Sequence, residues 1–570
     1  MIQKPARNFV PTPFPSDDAI AVASLYDTLE GREIPTSDAG ALRLWILDWS
    51  EFESVLREES ARRYIAMTCD TRDPKAAEAF EHFTTQIEPV ASEKSDRLKR
   101  KLMQHPARAL LEPEFGIWFR DVQVALDLFR PENIPLETSI ALEVQAYQKI
   151  TGSHSVIFQG EERTLSQMAP FQQSPDRKIR EEAWRLVASR RFADREALNE
   201  AFGKLFKLRL QVADNSGFAG DFLSYIFKAK GRFDYSPKDC RSFHQSIRTL
   251  VVPRIKKILA RRAQQMGLAS LRPWDVDCDP LGRNPLKPFL TGDELLGKVQ
   301  SIFNELHPRF GEWFGHMRTE GLIDTESRMG KAPGGYQISL DESRVPFIFT
   351  NASGTNGDVY TMLHEAGHSF HQFAMAHQPI VAFRDTPAEF AEVASMSMEL
   401  IASSDLSPFY PTAEAARSRQ EQFEDVILLL PWVAMVDAFQ HELYTRPGHT
   451  AKDRQELWMQ LQLEFDTGID WSGLEELRAY SWQRQLHIFE VPFYYIEYGI
   501  AQLGALQLWA NYRKNPTQAL EHMIEALSLG ASSPLPELFS RAGIRFNFTE
   551  ATLEPLMSMV EEELARLEKA

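Results

Sequence analysis

Residues 364–368 read His-Glu-Ala-Gly-His. On an α-helix, positions four apart lie on one face about one turn, or ~6 Å, from each other. Two imidazoles so placed can converge on one Zn²⁺ through nitrogen bonds of roughly 2.0–2.1 Å. Glu365, beside the first histidine, can then face a water held in the metal's open position and take its proton. Two ligands and a base in five residues point to hydrolysis. The same five residues also fit an exposed helix with two ordinary histidines, so the surroundings decide between the two.

Between Val359 and Ala376 only Gly367 disfavours a helix. A glycine there lowers helix propensity by about 1 kcal/mol relative to alanine, which makes sense if another backbone packs closely behind the ligands. Asn356-Gly357-Asp358 is a turn-and-cap sequence that predicts a helix start near Asp358. A hydrolytic zinc site usually has three protein ligands. The third is expected from the segment Asp385–Glu399, where Thr386 reads as an N-cap, Pro387 as the first helical residue and Glu389 as the partner in a capping box. Glu392 lies one turn into that helix among Ala, Val and Met, where an unpaired carboxylate is costly and a metal would satisfy it. Glu389 reads as a solvated first-turn acid. Glu399, on the side of Glu392, is placed to hold the free ring N–H of a ligating histidine. His371 is seven residues after His364, about 10.5 Å along the helix axis, and reads as a supporting or packing residue rather than a ligand.

Far downstream, His487-Ile-Phe-Glu-Val-Pro-Phe-Tyr-Tyr-Ile-Glu-Tyr498 offers neutral donors. Peptide hydrolysis builds negative charge on a tetrahedral oxygen, which such donors stabilise. Tyr494 and Tyr498, four apart, are expected to share a helix face. An aromatic stripe of this kind also fits a plain core.

Together these segments resemble the thimet oligopeptidase and oligoendopeptidase F family of zinc metallopeptidases, the oligoendopeptidase F branch more closely. The resemblance rests on Pro346-Phe347-Ile348-Phe349, on Asp358 to Ser369 around the pentapeptide, and on Phe390-Ala391-Glu392-Val393-Ala394-Ser395. Phe439-Gln440-His441, Gly231-Arg232-Phe233-Asp234-Tyr235 and the His487–Tyr498 segment add to it, over roughly residues 150 to 570. It implies a mainly α fold, a clam or bowl with a deep substrate channel and a small β-sheet near the active site. It also implies an endopeptidase for internal bonds of short peptides, with one Zn²⁺ per chain on His364, His368 and Glu392. Glu365 would activate the water, and His487 with Tyr494 or Tyr498 would stabilise the oxyanion. Two departures from the thimet pattern, Glu490-Val-Pro-Phe without glycine and Ile496, leave open which tyrosine acts.

The 570 residues are enough for two domains, with 43% hydrophobic and 25% charged content typical of globular proteins. A net charge of −17 argues against nucleic-acid binding, which needs a basic footprint. Cys69, Cys240 and Cys278 are scattered and odd in number, which indicates reduced thiols without metal-type spacing. The N-terminus has no apolar signal segment, and the apolar run Val426–Val436 contains Pro431 and is too short to span a bilayer. A cytoplasmic protein without membrane contact is expected.

Glu51–Met67, Pro74–Met103 and Ile134–Ile150 carry helical apolar spacing, and a hairpin is expected around Gly160. The chain therefore divides into an N-terminal helical domain, residues 1–150, and a helical catalytic domain, residues 151–570. Gly330–Gln337 and Val345–Thr350 read as two strands joined by a turn. Such a strand edge can pair with extended substrate, which makes Gly335 and Tyr336 candidate substrate-binding residues. Two rival readings remain: a non-catalytic, zinc-stabilised peptide-binding protein, which needs a fourth protein ligand, and an exopeptidase with the same zinc core.

Overall fold

Helix after helix starts on a side chain that accepts a first-turn amide. In the computed structural model, which describes residues 4–569, Asp18, Asp38, Asp73 and Thr355 each do so. These caps satisfy N–H groups that the helix itself leaves open. The first three residues of the N-terminal segment discussed above lie outside the described residues. The result is an almost wholly helical molecule with five short strands in two small sheets among the described residues.

Proline sets the main breaks. The single helix expected over Pro74–Met103 is instead Pro74–His82, a π-helical turn Phe83–Ile87, and Glu88–Gln104. Pro89 has no N–H to donate and its ring crowds the carbonyl four residues back, so the ladder widens just before it. Ile247–Val251 is a second such turn, just ahead of Pro253.

The N-terminal helices gather around Trp45, Phe52, Phe115 and Phe119, and this core also takes in Ile380 and Phe383. Helix Ala39–Cys69 thereby reaches the segment that follows the pentapeptide. Helix Ile134–Gly152 packs instead along helix Arg195–Asn215. Strands β1 (Ser155–Phe158) and β2 (Glu161–Thr164) form the expected hairpin, turning at Gln159 and Gly160, both with positive φ.

The second sheet has three strands, not the expected two. β3 (Ile323–Glu326) pairs in parallel with β5 (Val345–Ala352), and β5 pairs antiparallel with β4 (Tyr336–Leu340). β3 was not foreseen because its partner lies more than twenty residues away. β4 is an edge strand, with its second edge unpaired by any strand among the described residues.

Behind this sheet lies the larger core, to which most of the later helices contribute, among them Asn356–Met375, which carries the pentapeptide; Ala388–Ala402, which carries Glu392; the long helix Thr412–Thr445; and Tyr495–Lys514. The long helix is apolar and long enough to cross a membrane by composition, yet 72% of its most apolar window is buried in this core. That burial marks it as a core helix, and it keeps Pro431 inside.

Candidate active site

The pentapeptide helix begins earlier than expected, at Asn356, through a reciprocal cap. Thr355 accepts from the Asp358 amide, and the Asp358 carboxylate accepts from the Thr355 and Ser353 amides. Two turns on, His364 and His368 face Glu392 from the neighbouring helix. Their Nε2 atoms lie 3.3 and 3.5 Å from Glu392 Oε2, and the three donor atoms all fall within 4.8 Å of one another. The helices come this close because residue 367 is glycine. A Cβ there would sit 2.6 Å from Ser395 Cα and 2.7 Å from the Ala394 carbonyl oxygen. This is the close approach of a second backbone that the glycine foretold.

The carboxylates and imidazoles act strongly on one another. Burial opposes the Glu392 charge, yet His368 and His364 hold its carboxyl well below the usual range. Burial likewise opposes a charged His364, yet Glu392 and Glu399 raise it well above the ordinary histidine value. Two imidazoles and one carboxylate, converging and charge-hungry, fit a zinc ion in number and type of donor. Glu399 Oε1 lies 2.7 Å from His364 Nδ1, and Gln422 holds its other oxygen. With Nδ1–H donating to Glu399, a metal-bound His364 would present its Nε2 lone pair to the ion.

Glu365 is 6% exposed, and its Oε2 has no hydrogen-bond partner. Burial raises its pKa, which suits a group that must both take and return a proton. Across from it, a Cβ on Gly335 would lie 3.5 Å from Glu365 Oε1, so the glycine brings the start of β4 against the carboxylate. Tyr336 follows, its ring stacked on Phe349 and its hydroxyl 2.6 Å from Thr68 Oγ1. Gly335 and Tyr336 both line the central cavity of about 1010 Å³, into which His364, Glu365 and His368 open. Tyr64, Thr68 and Gln148 from the N-terminal helices line it too, the first two in contact with Tyr336.

His371 turns away from the donor cluster. It is buried, with Nε2 3.1 Å from Thr386 Oγ1 and its ring against Phe390. Two expectations are corrected here. Thr386 does not cap the Glu392 helix, which starts at Ala388 after an extended Pro387; its hydroxyl meets His371 instead. Glu389 is not solvated. It is buried, accepts from Tyr235 Oη at 2.6 Å and lies 3.8 Å from Arg232.

The tyrosine segment closes the site. The hydroxyl of Tyr494 donates to Glu392 Oε1 at 2.7 Å, and His487 Nε2 is 3.1 Å from Tyr498 Oη. The helix starts at Tyr495 with Tyr494 as its N-cap, and the Tyr494 and Tyr498 rings are 5.3 Å apart. Phe493, just before, has φ of 63°, a costly backbone for a bulky residue. It is held by the Gln440 side chain, which accepts its N–H at 2.9 Å, and by Arg232, which donates to its carbonyl and pairs with Glu497 at 2.5 Å. Arg232, Glu497, Gln440 and Gln485 were not singled out as site residues. Arg232, Gln440 and Glu497 lay inside segments quoted for the resemblance, Gly231-Arg-Phe-Asp-Tyr235, Phe439-Gln-His441 and His487–Tyr498, whereas Gln485 carried no sequence signal.

This chain is similar to known peptidases along most of its length. The family described as Peptidase family M3 matches residues 171–558, and the Peptidase M3 N-terminal domain matches residues 9–129. An oligoendopeptidase F homolog of Lactococcus lactis is 25% identical over 338 residues, 56% of this chain and 52% of the relative. The group B oligopeptidase PepB of Streptococcus agalactiae is 25% identical over 243 residues, 42% of this chain and 38% of the relative. The matched segment thus spans about half or less of these curated relatives. In three dimensions the likeness is wider: a solved structure of PZ peptidase A with an inhibitor superposes with a TM-score of 0.91 at 28% identity, over 96% of this chain and 97% of that one.

Proposed function

The chain belongs to peptidase family M3, and from that premise we propose that it is a zinc-dependent endopeptidase acting on internal bonds of short peptides. The observation that carries the reading is the convergence of His364, His368 and Glu392 within 4.8 Å beside the unpartnered buried oxygen of Glu365. Zinc held by those three residues would supply Lewis acidity, the means of polarising a carbonyl and easing the ionisation of water.

The protein's own groups do the rest. Glu365 takes a proton from the attacking water and returns it to the leaving amine as the C–N bond breaks. Tyr498, backed by His487, donates to the oxygen that gains charge, and Tyr494 keeps Glu392 oriented. The free edge of β4 offers backbone pairing to an extended peptide beside Glu365. A channel walled by helices from both halves of the chain admits extended segments and excludes folded proteins. The division at residue 150, the substrate roles of Gly335 and Tyr336 and a cytoplasmic location belong to the same reading.

A mixed peptide library, supplied once with free termini and once blocked at both ends, with products identified by mass spectrometry, tests it. Internal cleavage is expected, and His368→Ala should abolish it while far-ultraviolet circular dichroism is unchanged. Cleavage confined to peptides with free termini would mean an exopeptidase. Loss of the fold in His368→Ala would mean a structural metal.

A further inference from the structure

We propose that the chain holds a second metal ion, in a closed site formed by Cys240, His244, Asp437 and His441. Cys240 and His244 are four apart on helix Pro237–Ser246, and Asp437 and His441 are four apart on the long helix Thr412–Thr445. Each spacing places two donors on one helix face, and the two helices pack against each other. One donor atom each from Cys240, Asp437 and His441 lies within 4.8 Å of the others. His244 Nε2 and His441 Nε2 are 2.7 and 3.3 Å from Asp437 Oδ2. None of these residues belongs to the candidate active site.

The cluster is built into the core and left electrically unfinished. Exposure is 0% for Cys240 and Asp437, 8% for His244 and 5% for His441. The second oxygen of Asp437 and both ring nitrogens of His441 have no hydrogen-bond partner. Each buried polar atom left so costs about 1–3 kcal/mol, and buried groups are normally paired. A single cation would satisfy the free Asp437 oxygen and one of the two His441 nitrogens, which point apart. Bond lengths of about 2.0–2.3 Å around a tetrahedral ion place donors ~3.3–3.8 Å apart. The Asp437–His441 separation already lies at that spacing, whereas His244, outside the group of three that share 4.8 Å, must turn from its contact with Asp437 toward the other donors to complete the site. One thiolate, one carboxylate and two imidazoles suit zinc or a similar transition metal; calcium and magnesium take oxygen ligands.

Four protein donors leave no open position, so the role is structural. The rings of Phe227 and Phe493 flank His441 and keep water away. Gln440, beside His441, accepts the Phe493 amide that introduces Tyr494. An ion clamping these two helices therefore fixes the register of the residue that seats the tyrosine segment.

Cobalt separates the two sites, because the His364, His368 and Glu392 set contains no sulfur. The full chain is produced in medium with cobalt as the supplied transition metal, desalted, and examined by elemental analysis and near-ultraviolet absorption. We expect two cobalt ions per chain and a thiolate-to-cobalt charge-transfer band. His368→Ala should lose one ion and keep the band, whereas Cys240→Ser should lose the band and one ion. If Cys240→Ser does not fold, the band and stoichiometry of His368→Ala still decide. One ion with the band, unchanged by His368→Ala, would support this site and sink the active-site reading. A wild-type protein with no thiolate band, or a band that survives in folded Cys240→Ser, overturns the proposal.

Discussion

His487 Nε2 lies 3.1 Å from Tyr498 Oη, and the neighbouring groups fix which of the two donates. Trp432 donates its indole N–H to Gln485 Oε1 at 2.9 Å, which turns the Gln485 amide nitrogen toward His487 Nδ1 at 2.7 Å. Nδ1 therefore accepts and Nε2 carries the proton. His487 then donates to the Tyr498 oxygen, and the Tyr498 O–H is free to donate to a substrate oxygen. Burial keeps the imidazole neutral by lowering its pKa to about 4.

Tyr498→Phe should lower kcat by about 10²–10³ with little change in metal content, since one oxyanion donor is worth that much. Gln485→Glu should give a comparable loss without touching substrate. A carboxylate at 485 accepts from Nδ1–H, reverses the tautomer and draws the Tyr498 proton toward His487. Steady-state kinetics on one blocked peptide checks both, and a fully active Gln485→Glu protein would refute the stated direction.

The Tyr494 hydroxyl is already engaged with Glu392. Tyr494→Phe should therefore act first through metal retention, weakening affinity by about 10–100-fold, the usual effect of removing a group that orients a ligand. At saturating zinc its kcat should fall less than that of Tyr498→Phe. Competition with a fluorescent chelator measures the affinity.

Gly367→Ala places a Cβ into the Ser395 backbone. Neither helix can yield without moving His368 from Glu392, and overpacking of this kind costs about 1–3 kcal/mol. The expected result is a lower urea midpoint together with reduced zinc content. A variant with both unchanged would mean that the two helices need no such contact.

Asp324, on β3, carries the pH dependence of the small sheet. Burial works against its charge, but Arg328 at 2.7 Å and the fully buried Lys331 at 2.8 Å hold its carboxyl far below the usual range. The folded value lies under the unfolded ~3.9, so the stabilisation is complete above that value and is lost as pH falls through the folded one. Asp324→Asn should cost roughly 3 kcal/mol at neutral pH by leaving Lys331 without its carboxylate. That gap in urea stability should narrow below about pH 4.

What the sequence disclosed was local. The spacing of His364, Glu365 and His368, the glycine between them and the apolar surroundings of Glu392 are all short-range patterns, and helix geometry turns each into a position. The tyrosine segment announced its donors but not their wiring, because Gln485 is an ordinary glutamine, and the motif around Gln440 did not say which backbone amide it would meet; both roles depend on partners brought together by folding. The capping role given to Thr386 failed for the same reason, since His371 from the preceding helix competes for its hydroxyl. Cys240-x-x-x-His244 and Asp437-x-x-x-His441 were each visible, but nearly 200 residues separate them, and neither half alone points to a metal.

The role of Glu365 is the centre of the account, and Glu365→Gln tests it most directly. Zinc content by elemental analysis and hydrolysis of one blocked internal peptide are measured on the same preparation. The prediction is wild-type zinc content with turnover reduced by about 10² or more, the contribution of a positioned proton-transfer group. Full turnover at full zinc content would contradict it.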